Sequence, residues 1–213
     1  MGIIENEVLE LLRETVKGAD MSEKRRAHTL AVEAMAARIG EIYAPEKVGI
    51  LRAAALLHDI TKEYSTENHI EICREHGYEP QDIDIFAPKT LHARTAAMLI
   101  PTLYPELADE EVVSAVRWHT TGRAGMSICE KIVYLADYID ETRRFPDCVT
   151  LREFFWSAEP QKMNESERLS HLRETLILSF RMTVTGLLED GCPISPDTAD
   201  AMNFEIIEKY KNL

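Results

Sequence analysis

The chain has 213 residues, 45% of them hydrophobic, which is enough to bury the core of one large domain or two small ones. A formal net charge of −13 excludes a general nucleic-acid binder, which needs a basic footprint. It leaves room for a small anionic substrate met by local cations or metal ions.

Almost every segment reads as helix, with no sustained period-2 alternation. An amphipathic opener is expected from about Ile4 to Val16, and Ser22 caps a helix running to about Tyr43. Pro45 fits the first turn of a helix ending near Asp59. Ser65 or Thr66 opens another, which Gly77 stops. The stretch from Glu79 to Pro88, with two prolines and mixed polarity, reads as loop. Helices follow from about Thr90 to Leu103 and from Asp109 to His119, the second stopped by Gly122. Ser127–Glu130 and Thr150–Glu153 both have the spacing of capping boxes. A long helix spans about Ser166 to Glu189, and Ser195-Pro196 starts the last one. The expectation is one all-α domain over 1–213, with a core at 20–150 and a helical extension at 151–213.

No apolar run reaches the ~18 residues of a membrane span, and the start lacks the basic, then apolar, pattern of a secretory signal. The cysteines, Cys73, Cys129, Cys148 and Cys192, form no C-x-x-C pair. Both features lead us to expect a cytoplasmic protein with reduced cysteines. Monomer and homodimer are both compatible with the sequence.

Six groups stand out: His28, His58-Asp59, His92, His119 and Asp137. Imidazole nitrogen and carboxylate oxygen are ligands that intermediate divalent metals accept. Each group also has a plainer reading. His28 shares a helical stripe with Val32, Met35 and Ile39, and His92 one with Ala96 and Leu99, so either could be a hydrogen-bonded core histidine. His119 ends a helix, where an imidazolium would complement the dipole. Asp137 is harder to explain this way. It lies in Ile132-Val133-Tyr134-Leu135-Ala136-Asp137, where a carboxylate is costly unless a cation or donors meet it. Six donors exceed what one ion needs if a position stays open for water or substrate. Their joint occurrence on five apolar helices therefore favours a two-metal centre. His69, His76 and His171 sit among charged neighbours and read as surface residues. Lys62, Arg123 and Arg143, with Arg144 beside the last, each lie close in sequence to one of the six and read as phosphate clamps.

The pattern H…HD…H…H…D resembles the HD-domain metal phosphohydrolases. The strings Leu56-Leu57-His58-Asp59-Ile60-Thr61-Lys62, Leu91-His92, Trp118-His119-Thr120-Thr121-Gly122-Arg123-Ala124-Gly125-Met126-Ser127 and Glu130-Lys131-Ile132-Val133-Tyr134-Leu135-Ala136-Asp137 are similar to the YqeK-type branch, the bacterial symmetrical diadenosine tetraphosphate hydrolases. The resemblance covers about residues 20 to 150. It implies an HD-domain helical bundle around two metal ions, most typically iron. His28, His58, Asp59 and Asp137 would hold one ion, and His92, His119 and a bridging Asp59 the other. Manganese, cobalt, nickel and zinc accept the same donors. The implied reaction is attack of a metal-bound hydroxide on an inner phosphorus of diadenosine tetraphosphate, giving two ADP. Asp59, Lys62 and Arg123 would serve catalysis, and Lys62, Arg123 and Arg143 would bind the phosphates. The alternatives are an HD-domain nucleotidase or phosphodiesterase acting on another nucleotide, and a nucleotide-binding regulatory module without turnover.

Overall fold

A computed structural model describes residues 4–211. Eleven α-helices form, and no strand forms among the described residues. In chain order they are α1 (Asn6–Gly18), α2 (Glu23–Tyr43), α3 (Val48–Leu57), α4 (Thr66–Glu75), α5 (Asp82–Phe86), α6 (Leu91–Leu103), α7 (Glu110–Trp118), α8 (Ile128–Ile139), α9 (Pro146–Ser157), α10 (Glu165–Glu189) and α11 (Pro196–Lys211). The fold class is all-α, as the helical periodicity implied. Proline-led 3₁₀ turns at 45–47, 88–90, 105–107 and 160–162 join several of the helices.

The centre of the bundle is α3, which packs against α1, α2, α7 and α8. Its run Leu51-Arg52-Ala53-Ala54-Ala55-Leu56-Leu57 is buried except for Arg52. The small residues let neighbouring helices come close. Gly40 on α2 does the same from the other side: a Cβ there would lie 2.5 Å from Leu51 Cδ1. Charge bridges tie outlying helices to this centre. Buried Glu33 on α2 accepts from Arg52 Nε at 2.9 Å and lies 3.1 Å from Arg13 Nε of α1. Buried Glu205 on α11 faces Lys131 of α8 at 2.6 Å and Arg173 of α10 at 3.3 Å.

Local chemistry sets most of the helix ends. Ser22 accepts from Arg25 N, and Ser127 and Glu130 form the expected capping box at the start of α8. The second expected box does not form. Thr150 lies inside α9, which begins at Pro146, because the fixed φ of proline starts the helix one turn earlier. The stretch from Glu79 to Pro88 is not all loop. Asp84 accepts from Gln81 N at 2.9 Å and from Tyr78 Oη at 2.6 Å, and these bonds organise the short helix α5.

Two of the three histidines expected on the surface are buried. His69 bonds Thr95 Oγ1 at 2.8 Å, and Thr61 Oγ1 in turn donates to His92 O at 2.9 Å. His171 Nε2 donates to Phe155 O at 3.0 Å and its ring stacks on Phe155. Neutral imidazoles with a backbone or hydroxyl partner tolerate burial, whatever charges flank them in sequence. His76 is exposed at the end of α4, as expected.

Candidate active site

The six groups converge on one point of the bundle. His28 projects from α2 and His58-Asp59 from the C-terminal end of α3. His92 comes from the first turn of α6, His119 from the end of α7 and Asp137 from the last turn of α8. The Asp59 carboxylate lies between two histidine pairs. Its Oδ2 is 3.2 Å from His58 Nε2 and 3.6 Å from His28 Nε2. Its Oδ1 is 3.2 Å from His92 Nε2 and 3.8 Å from His119 Nε2. Asp137 Oδ1 closes the first group, 2.9 Å from His28 Nε2 and 3.7 Å from His58 Nε2. In the second group the two Nε2 atoms of His92 and His119 are 3.0 Å apart.

Backbone carbonyls fix three of the imidazoles. Nδ1 of His58, His92 and His119 lies 2.6, 2.8 and 2.7 Å from the carbonyls of Ala55, Lys89 and Val116, each three residues back. A carbonyl can only accept, so the proton sits on Nδ1 and the Nε2 lone pair faces the centre. Burial pushes His92 down to about 3, against the pull of Asp59, and lowers His119 as well, which favours the neutral, ligating form of both. His28 is held differently. Burial lowers it, but Asp137 and Asp140 outweigh that and raise it to about 9. Burial also works against the charged forms of Asp59 and Asp137. The surrounding histidines for Asp59, and Arg143 with His28 for Asp137, hold both well below the usual carboxylate range.

His58 Nε2 and Asp59 Oδ1 are buried without a hydrogen-bond partner, and His28 Nε2 meets the Asp137 carboxylate at 2.9 Å. Orphaned donors of this kind facing a common point are what a cation would satisfy. His28, His58 and Asp137 form one cluster with metal-ligand spacing, and His58, Asp59 and His119 another. The donor set therefore fits divalent metal.

The expected clamps are placed unequally. Lys62 Nζ is 3.0 Å from His92 Nε2 and 3.9 Å from Asp59 Oδ1. Arg143 Nη2 is 2.6 Å from Asp137 Oδ1. Arg123 instead turns to buried Glu130, at 3.1 Å from Nε and 3.0 Å from Nη2, and contacts none of the six. Two further residues escaped sequence reasoning. Arg25 pairs with Asp59 Oδ2, and Asp140 stands 3.2 Å from His28 Nδ1. Each lies three residues from one of the six, Arg25 before His28 and Asp140 after Asp137, so helical spacing alone could have flagged them.

Two cavities open beside this centre. One, of about 410 Å³, is lined by Asp59, Arg25, Asp20, Glu63, Tyr64 and Tyr104. The other, of about 570 Å³, is lined by His28 together with Lys24, Arg25, Lys62, Arg143 and Arg144. Charge separates them. The second offers five cations, whereas the first sets three acids against a single arginine, so the second is the one whose charge suits a polyanion.

Residues 25–142 match the family model described as HD domain. The chain belongs to the HD-domain family. Members of this family bind divalent metals, in keeping with the donor set above. The HD-domain chain is 31% identical to a Halalkalibacterium halodurans protein named bis(5'-nucleosyl)-tetraphosphatase, symmetrical, over 89% of this chain and 92% of that one. A Bacillus subtilis protein of the same name is 30% identical, over 84% and 87%. A crystal structure from Clostridium acetobutylicum, described as a predicted HD superfamily hydrolase involved in NAD metabolism, superposes with a TM-score of 0.79. It has 32% identity and covers 94% of this chain and 97% of the other. No helix among the described residues is long and apolar enough to cross a membrane.

Proposed function

We propose that this HD-domain protein is a metal-dependent phosphohydrolase that cleaves diadenosine tetraphosphate symmetrically into two ADP. The observation that carries the reading is the Asp59 carboxylate, with one oxygen toward His28 and His58 and the other toward His92 and His119. The names of the relatives support the substrate. His28, His58, Asp59 and Asp137 would hold one divalent ion, for which we favour iron, and His92, His119 and Asp59 a second. The Lys62 ammonium beside His92 makes the second position the weaker of the two. When bound, such ions supply a nucleophile from water at neutral pH and polarise a phosphoryl oxygen.

The chain's own residues do the rest. Asp59 fixes the centre in register with the polyphosphate. Lys62 and Arg143 offset charge that spreads onto phosphate oxygens as an inner phosphorus is attacked. Arg123 would join them only by leaving Glu130. The leaving group is ADP, stable as an anion, so no strong general acid is required. We also read residues 151–213 as part of the same domain as the 20–150 core, supported by the Glu205 bridges and by the Tyr134 Oη to Ser179 Oγ contact of 3.0 Å.

A product assay with metal-loaded protein tests the reading. ADP alone is expected. AMP with ATP would show asymmetrical cleavage, and phosphate release from AMP would show a nucleotidase. Tight nucleotide binding with no turnover would leave a regulatory module.

A further inference from the structure

Diadenosine tetraphosphate carries two nucleosides, and central cleavage puts the reacting phosphorus in the middle. Each half then needs its own contacts beyond the metal centre. The basic cavity has a gradient that matches one half. His28 is buried at it, while Arg25, Lys62 and Arg143 are half-buried. Arg25 and Arg143 also pair with Asp59 and Asp137. Lys24, Arg144, Phe145 and Pro146 line the same cavity and are exposed. Neither Lys24 nor Arg144 makes an ion pair among the described residues, so both charges are available. Phe145 is 66% exposed, although a phenyl ring gains by burial.

That exposure has a local cause. Phe145 is the N-cap of α9, and Pro146 fixes the helix start behind it. The extended backbone at Phe145, φ −63° and ψ 141°, directs the chain out of the loop that carries Arg143 and Arg144. An apolar residue at a cap position contributes nothing to the cap, since the favoured residues there carry a side-chain oxygen. The ring lines the cavity beside the two cations, within reach of what enters it. An aromatic face next to free cations is the combination that takes a nucleotide, with the base on the ring and the phosphates on the charges.

We infer that Phe145, Arg144 and Lys24 form the subsite for one nucleoside half of the substrate, with Phe145 stacking the base and the two cations meeting the phosphates nearest it. This rests on the proposed hydrolysis of diadenosine tetraphosphate and adds residues for recognising a dinucleotide. Stacking on an aromatic ring tolerates any base, so this half discriminates by the presence of a base more than by its identity.

The test is steady-state kinetics on diadenosine tetraphosphate with Phe145→Ala, Phe145→Trp and Arg144→Ala. Phe145→Ala raises KM by about tenfold, the order expected for one lost base stack, with kcat changed by less than about twofold. Phe145→Trp restores KM. Arg144→Ala raises KM at low salt, and the effect shrinks as ionic strength rises. Unchanged KM in both alanine variants, or a loss that falls on kcat alone, overturns the inference while the wild-type activity stands. A wild-type protein that does not turn over this substrate overturns the proposed function, and the subsite assignment with it. Because Phe145 is exposed, a matching melting temperature for wild type and variant shows that the kinetic change is not a folding defect.

Discussion

His28 presents its Nδ1 to the carboxylate of Asp140 at 3.2 Å while its Nε2 faces Asp59 and Asp137. The other three histidines use backbone carbonyls for the same purpose, so His28 is the one whose orientation depends on a side chain. Asp140 is fully buried. Burial raises its carboxyl, but hydrogen bonds from His28 and Thr142 outweigh that and keep it below the ordinary range. Asp140→Ala removes the carboxylate from the inward imidazole and leaves its Nδ1 only Thr142 Oγ1, at 3.5 Å. Metal affinity should fall about 10–100-fold, as is usual when the outer partner of a ligating histidine is removed. Titration of the metal-free variant measures this, and wild-type affinity would show that Asp140 does not orient His28.

Asp59 touches both histidine pairs, and Arg25 and Lys62 stand beside it. Its loss should therefore do more damage than the loss of any one histidine. Asp59→Asn keeps the shape and removes the charge. Turnover should drop by a factor of about 10³ or more, on the scale of losing a transition-state stabiliser worth several kcal/mol. Retention of most of the activity would end the bridging role.

His92→Ala and His119→Ala separate one metal from two. The first cluster, built on His28, His58 and Asp137, is untouched by either change. Metal analysis should show the content falling from two ions per chain toward one, with circular dichroism unchanged. One ion per chain in the wild type and in both variants would remove the second site. The two histidines would then be free to meet phosphate alongside Lys62.

Much of this site was legible in the sequence, and the reason is local. A histidine or aspartate within an apolar helical stripe must face the core, so His28, His92 and Asp137 could be placed inward from periodicity alone. What sequence could not supply was the choice among partners across the bundle. Arg123 follows His119 closely, yet it turns to Glu130, a carboxylate brought there by the capping box of α8. His69 and His171 looked exposed because charged residues flank them in sequence, but a helix turns its neighbours to different faces. Thr150–Glu153 had the spacing of a cap, and only the position of Pro146 shows that the helix had already begun.

The pairing of Arg123 with Glu130 makes a prediction in which stability and function part ways. Glu130 is fully buried, whereas the Arg123 side chain is 38% exposed, so solvent screens part of the interaction. Arg123→Ala should cost about 1 kcal/mol and lower the melting temperature by about 2–4 °C, with KM for the dinucleotide within about threefold of wild type. A large KM increase at unchanged stability would return Arg123 to the substrate.

Gly122 carries the turn after His119 and is held by packing as well as by backbone. Its φ is 65°, and a Cβ there would sit 2.9 Å from Phe180 Cζ and 3.2 Å from Ala201 Cβ. Gly122→Ala meets the left-handed penalty of about 1–2 kcal/mol and an overpacking cost of about 1–3 kcal/mol. Denaturant unfolding should show a loss of about 2–5 kcal/mol. A loss of only about 1–2 kcal/mol, the backbone cost alone, would mean that α10 and α11 yield easily at this point.

Metal removal should destabilise the whole bundle, because the donors come from five helices. With no cation, His58 Nε2 and Asp59 Oδ1 lack partners in a buried site, and each such group costs about 1–3 kcal/mol. A ligand that binds only the folded chain stabilises it by RT ln(1 + [L]/Kd), about 2.7 kcal/mol at one hundred times Kd. Extensive chelation should thus lower the melting temperature by several degrees, and re-addition of ferrous or manganous ion should restore it in a concentration-dependent way. His58→Ala, which removes a donor common to both clusters, should blunt that response without abolishing the fold. A melting temperature indifferent to both chelator and metal in the wild-type protein would show that the six groups satisfy one another and do not await a cation.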